Sequence, residues 1–228
     1  MTRILLNIKN IYFRFAIMKL IEDLIIEHEN ITYDFNYNIK NISTADIIFT
    51  EMVVGEFSLC HDTLNNRSDA ARIFIIHTQK GPVVKNPLPN CIKGSVFIYE
   101  KDLPGNIKKT MAKALDVSSI KTTNESASCG LRRCLDCQCN SVTAIQLKIL
   151  YATSIGLNTS DIANKLSMNY KTVFSHKRNV MTKFNLANKQ ELQKFANLFG
   201  QKKKQIKPLP ASALRKVDSE MHRPFTLC

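Results

Sequence analysis

The sequence predicts two folds in one chain: an α/β, mainly parallel sheet covered by helices, followed by an all-α domain of four short helices. Three observations carry this. Five short apolar runs alternate with crossover segments in the first half, which implies parallel strands. The periodicity becomes wholly helical from Val142 to Phe199, with a start signal at each segment. The charge also divides unevenly. The 228 residues hold 32 Lys and Arg against 19 Asp and Glu, a net charge of +13. Residues 1–128 contribute 15 basic and 14 acidic groups, whereas residues 129–228 contribute 17 and 5, so nearly all the excess lies in the second half. A balanced half joined to a basic one suggests an interaction or sensing domain beside one that meets a polyanion.

In chain order, Arg3–Ile8 reads as a buried strand and Ile11–His28 as a helix. Ile31–Asn38, Ala45–Thr50, Arg72–Ile76 and Ser95–Tyr99 read as four further strands. Pro104 then opens a helix through Leu115, with Lys108, Lys109 and Lys113 on its solvated face. Arg14, Lys19, Glu22 and Asp23 interrupt the apolar segment Ile11–Ile26, so it reads as a core helix and not as a membrane span. The expected location is cytoplasmic, with no membrane partner.

In the second half, Thr143 with Gln146 forms a capping box for a helix reaching about Ser154, which Gly156 stops. Asn158 or Thr159 caps a helix through Leu166, Asn169 caps one from Tyr170 to about Phe184, and Asn188 with Glu191 caps the last, 189–199. On the third helix, Val173, Val180 and Phe184 share one side as a core anchor. Lys171, Ser175, Arg178 and Thr182 share the other, with Phe174 on its flank and no acid among them. Such a helix fits the major groove of B-DNA. A solvated basic face is the plainer reading of an isolated helix. The last helix carries the stripe Leu192, Phe195, Ala196 and Phe199, which needs a partner, either a second subunit or the opening helix of the same domain.

Cys129, Cys134, Cys137 and Cys139 crowd into the segment between the domains with the spacing C-x4-C-x2-C-x-C. Four thiolates suit zinc or an iron–sulfur cluster, two suit a reversible disulfide, and inert linker thiols are the third reading. Beyond Phe199, the run Gly200–Lys207 and the prolines after it read as a basic disordered tail. No nucleophile–base pair, phosphate loop or carboxylate dyad is visible, so the chain does not read as an enzyme.

The stretches Gly156–Ala163, Leu166–Val173, Ser175-His176 and Asn179-Val180 resemble, in order and spacing, the helix-turn-helix of the LuxR and NarL/FixJ transcription regulators. The resemblance implies that Phe174, Ser175 and Arg178 face bases, and that Lys171, Thr172, His176, Lys177 and Lys183 serve phosphate or sugar contacts. Phe174 stands where many members have lysine, exchanging a polar contact for an apolar one. The first half resembles a response-regulator receiver domain, a doubly wound parallel sheet. The acidic pair of that family falls on Ile8 and Lys9, its phosphoacceptor on Glu51 and its lysine on Lys101, which implies a pseudo-receiver; Glu51 then either pairs with Lys101 as a fixed charge or is a solvated loop acid. The organisation expected is a pseudo-receiver over 1–118, a Cys-rich linker over 119–141, the LuxR-type domain over 142–199 and the tail over 200–228. The arrangement and the Ser175-His176-Lys177 run are similar to the enterobacterial auxiliary regulators of capsule and fimbria genes, the RcsA-like proteins. That similarity implies a phosphorylation-independent regulator that binds double-stranded DNA as a homodimer or as a heterodimer with another regulator, with RNA polymerase a candidate further partner. Two other readings stay open: a redox- or metal-sensing regulator acting through the cysteine cluster, and an interaction protein that modulates another regulator.

Overall fold

The computed structural model describes residues 1–26, 32–79, 88–115 and 137–205. They fall into two compact units: Met1–Met52 with His61–Gln138, and Val53–Cys60 with the chain from Cys139 onward. Among the described residues no helix is long and apolar enough to cross a membrane.

In the first unit, β1 (Thr2–Asn7), β2 (Tyr33–Asn36), β3 (Ile47–Glu51), β4 (Arg72–His77) and β5 (Val96–Tyr99) form one parallel sheet in the order β2-β1-β3-β4-β5. This is the doubly wound order, in which the direction of winding reverses between β1 and β3. The three central strands are apolar through their middles, where both faces of the sheet are buried. Ile4, Leu6, Phe49 and Phe74 face α1 (Ile11–Ile26) and α3 (Pro104–Leu115), where they meet Ile17, Ile21, Ile107 and Met111. The rings of Phe49 and Phe74 stack at 4.6 Å across β3 and β4. Leu5, Ile48 and Ile75, one residue out of phase, are equally buried on the other face.

The crossovers into β3 and β4 hold only short helical turns. β2 returns to β3 through a 3-10 segment, Ile39–Thr44, and β3 leads to β4 through the 3-10 turn Glu56–Ser58 and the single-turn α2 (Asp62–Asn65). These stretches are rich in Asn, Ser and Gly, which favour turns over helix interiors.

The second unit holds α4 (Ala144–Ser154), α5 (Thr159–Lys165), α6 (Tyr170–Lys183) and α7 (Lys189–Gln205). Left-handed residues close the first three: Gly156, Ser167 and Asn185 at φ of 87°, 51° and 52°. Each lets the following N–H reach back five residues, as Leu186 does to the Met181 carbonyl at 2.8 Å. Val53–Cys60 belongs to this unit as well: Val54 and Leu59 lie in one apolar cluster with Leu150, Val180, Phe184 and Phe195. Gly55, at φ 85°, is required there, since a Cβ would stand 3.0 Å from the Phe184 carbonyl oxygen.

The helix expected to end at Phe199 continues to Gln205. Gly200 does not break it. A Cβ at Gly200 would come within 2.5 Å of the Ser154 hydroxyl, so the glycine permits the close approach of α7 to α4. The remainder of the expected tail lies outside the described residues.

In β4, His77 is 4% exposed, with the rings of Phe97 and Tyr99 each 5.9 Å away. Burial pushes its pKa below the ordinary 6.5, partly opposed by the Gln79 backbone. The folded imidazole is therefore neutral, whereas the unfolded chain protonates near about 6.5. Stability is complete above that value and is lost as the pH falls from it through the lower folded value. Thermal melts should show a lower Tm at about pH 5.5 than at about pH 7.5, with a smaller gap in His77→Gln; an equal gap in the variant would assign the acid sensitivity to other groups.

Candidate nucleic-acid interface

α6 is positioned by its start, its anchors and its end. Asn169 caps it, its side-chain oxygen accepting the Lys171 backbone N–H at 2.8 Å. Val173 is fully buried among Ile149, Ala152, Ile162 and Ala163, and Val180 and Phe184 are buried in the neighbouring cluster with Leu150 and Phe195. α4, the helix behind, has the full predicted capping box, with Gln146 N–H to Thr143 Oγ1 at 3.3 Å and Thr143 N–H to Gln146 Oε1 at 3.1 Å. Asn158 caps α5 through the Asp161 N–H at 2.9 Å.

With that side docked, Lys171, Thr172, Phe174, Ser175, Arg178 and Lys183 are exposed, and His176 and Lys177 are half-buried. α6 contains four cationic side chains and no carboxylate. Lys177 turns toward α5, its Nζ donating to the Thr159 hydroxyl at 3.3 Å. Partial burial, with Lys189 adding repulsion, pushes its ammonium below the usual lysine range. Tyr170, one turn before Phe174 and absent from the sequence-based set, is also exposed. Its spacing of four from Phe174 is the signal that would have found it.

The stripe of α7 is turned inward. Leu192, Phe195, Ala196 and Phe199 are all buried within their own unit, with the rings of Phe184 and Phe195 at 4.6 Å. Of the two partners the stripe allowed, the one it meets is intramolecular, because α4 and the Val53–Cys60 segment cover it.

Residues 140–196 match the family described as GerE, bacterial regulatory proteins of the luxR family. They form a LuxR-type domain. No curated protein matches the chain. Among solved structures, the chain is similar to RcsB from Salmonella enterica serovar Typhimurium bound to promoter P1flhDC in the presence of phosphomimetic BeF3−. There the identity is 15%, covering 86% of this chain and 98% of that one, with a TM-score of 0.50. It is also similar to the two-component response regulator RcsB in a DNA complex, at 20% identity over 86% and 96% of the two chains, with a TM-score of 0.47. The first of these likenesses supports the same fold, a receiver-like sheet followed by a LuxR-type domain.

In the receiver-like unit, Ile8 is buried and Lys9 exposed at the end of β1. Glu51, at the end of β3, accepts the Asn10 backbone N–H through Oε1 at 3.3 Å. Lys101 is exposed beyond β5, and among the described residues no ion pair joins it to Glu51.

Of the four clustered cysteines, Cys129 and Cys134 lie outside the described residues. Cys137 is half-buried in the first unit, accepting the Asn90 N–H at 3.3 Å. Cys139, in the second unit, has as its neighbour Cys60, a buried cysteine outside the sequence motif, with the two sulfurs within 4.8 Å. Nothing in the spacing pointed to Cys60. The Asn140 N–H bond to the Ser58 carbonyl, at 2.7 Å, draws the two segments together.

Proposed function

We propose that this protein is a sequence-specific, DNA-binding transcription regulator whose helix α6 enters the major groove. The observation that carries the reading is the rotation of α6: Val173 and Val180 are buried while Lys171, Ser175 and Arg178 are exposed on an acid-free face. The LuxR-type match over the same residues supports it, as does the +12 charge of residues 129–228. Arg178 and Ser175 read base edges, and Lys171, Thr172, His176, Lys177 and Lys183 hold phosphates. The protein acts in the cytoplasm as a binding protein and not as an enzyme, paired with a second copy or another regulator on adjacent half-sites. RNA polymerase is the natural downstream partner. Promoters of fimbria and capsule genes are the first to assay.

Arg178→Ala should cost about 1–3 kcal/mol on the best site and relax one base preference. Lys171→Ala should weaken all sequences alike and lower the salt slope by about one. Binding measured across a sequence library and several salt concentrations checks both, and equal sequence-blind losses would overturn the assignment of roles.

The receiver-like unit works without phosphorylation in this reading. Ile8 and Lys9 offer no oxygen pair for magnesium, and the Glu51 carboxylate already holds the Asn10 N–H. Adding an acyl phosphate or beryllofluoride should leave DNA affinity unchanged, whereas Glu51→Gln should alter DNA binding or oligomeric state. A gain in affinity on adding the phosphate donor would restore a conventional receiver.

The closeness of Cys60 and Cys139 favours a second reading, a thiol-responsive regulator. A two-electron oxidant such as a diazene dicarboxamide would join the sulfurs with loss of two protons, tying Val53–Cys60 to the start of the helical domain. Oxidation should then change DNA affinity reversibly in the wild type and leave Cys60→Ser unaffected. An identical response in Cys60→Ser would discard this reading.

A further inference from the structure

Among the described residues of the second unit, three large apolar side chains are exposed: Ile155, Tyr170 and Phe174. Two of them sit together at the start of α6. Tyr170 is 51% exposed and Phe174 50%, four residues apart and so on one stripe of the helix. Arg178 continues the stripe one further turn along and is exposed too. The fold does not require these rings in the open. Among the described residues, the unit's other phenylalanines, Phe57, Phe184, Phe195 and Phe199, are all buried, and α6 already docks through Val173, Val180 and Phe184. Half-exposed aromatic surface gains on burial at about 25 cal/mol per Å², so the pair is suited to an occupant that covers it. Lys171 and Arg178 border the pair without an acidic neighbour on the helix, so that occupant must present negative charge beside an apolar group.

We infer that Tyr170 and Phe174 form an apolar reader for the 5-methyl group of thymine, and that the half-site therefore places thymine within two base pairs of the one read by Arg178. The inference rests on the reading of α6 as a major-groove helix and goes beyond it by naming what the amino-terminal turn selects. In the major groove, thymine presents an apolar methyl on its edge, flanked within a few ångströms by phosphates that Lys171 can meet. Double-stranded RNA does not fit: its major groove is too deep and narrow for side chains to read. Successive residues of the stripe are about 6 Å apart along the helix axis. That is just under two base-pair rises of about 3.4 Å, so Phe174 and Arg178 reach positions one or two base pairs apart and not a single base pair.

The test starts from the duplex that the full-length protein selects out of a random pool. Each thymine is then replaced in turn by deoxyuridine, which removes the methyl group and leaves every hydrogen-bonding atom in place. At one or two positions per half-site the wild type should bind the uracil duplex about three- to fivefold more weakly, as expected for one buried methyl. Phe174→Ala should bind the two duplexes alike, Phe174→Leu should keep part of the preference, and Tyr170→Phe should keep it whole, since the ring and not the hydroxyl makes the contact. A wild-type protein indifferent to methyl removal at every position, or a Phe174→Ala variant that retains the preference, would overturn the reader and leave the DNA-binding reading intact. Failure to select any duplex at low salt would overturn both. A Phe174→Ala variant equal to the wild type on every duplex would assign the rings to a surface other than DNA and overturn the inference.

Discussion

Helix α6 is held from one side only, by two apolar clusters that meet along α4. Val173 enters the first, with Ile149, Ala152, Ile162 and Ala163, and Val180 and Phe184 enter the second, with Leu150, Leu192 and Phe195. Ile149 and Leu150 are consecutive in α4, about 100° apart around it, so one helix serves both clusters. Because the anchors of α6 lie two turns apart, the helix cannot roll about its axis without exposing one of them. Re-exposing a Val or Phe side chain costs about 1.5–3 kcal/mol each, so a roll that freed all three would exceed the gain from any single surface contact. The outward face is therefore set before a ligand arrives, and the ordering cost that weakens flexible binders is largely absent.

The second of those clusters is not completed by the helices alone. Val54 and Leu59, from the segment after β3, pack into it, and Gly55 comes so near the end of α6 that any side chain would strike the Phe184 carbonyl oxygen. A boundary drawn at residue 142 would leave that core without two of its apolar members. The same close packing explains the inward stripe of α7. α4 and residues 53–60 cover Leu192, Phe195 and Phe199, so the stripe is occupied within its own unit.

What could be read from the sequence is what depends on near neighbours. The cap residues Thr143, Asn158 and Asn169, the rotation of Val173 and Val180, and the alternation that makes Leu5 and Leu6 face opposite sides of the sheet each follow from residues within one or two turns. What could not be read depends on distant partners. Gly200 looks like a stop signal, and only the nearness of Ser154 reveals it as a packing glycine. Cys60 lies far from the C-x4-C-x2-C-x-C run, so no spacing rule could join it to Cys139. Lys177 reads as one more basic residue until Thr159 is found beside it. Tyr170 opens a helix, where local sequence specifies the cap, Asn169, and not which side chains of the first turn stay exposed.

The end of β3 carries a small hydrogen-bonded network of its own. The winding reverses between β1 and β3, which places the carboxyl ends of those strands at the crevice where such sheets bind ligands. There Asn7 donates to the Thr50 hydroxyl at 3.0 Å, and Glu51 accepts the N–H of Asn10. The Asn10 side chain in turn accepts the N–H groups of Tyr12 and Phe13, the first turn of α1. Glu51 thus places its carboxylate beside the amino terminus of a helix, an arrangement that stabilises by about 0.3–1 kcal/mol at an exposed site. A carboxylate committed to holding a helix start contributes whenever the domain is folded, whereas a phosphoryl group contributes only after transfer. Under the proposed function, that difference gives the sheet a constant surface and not a timed one.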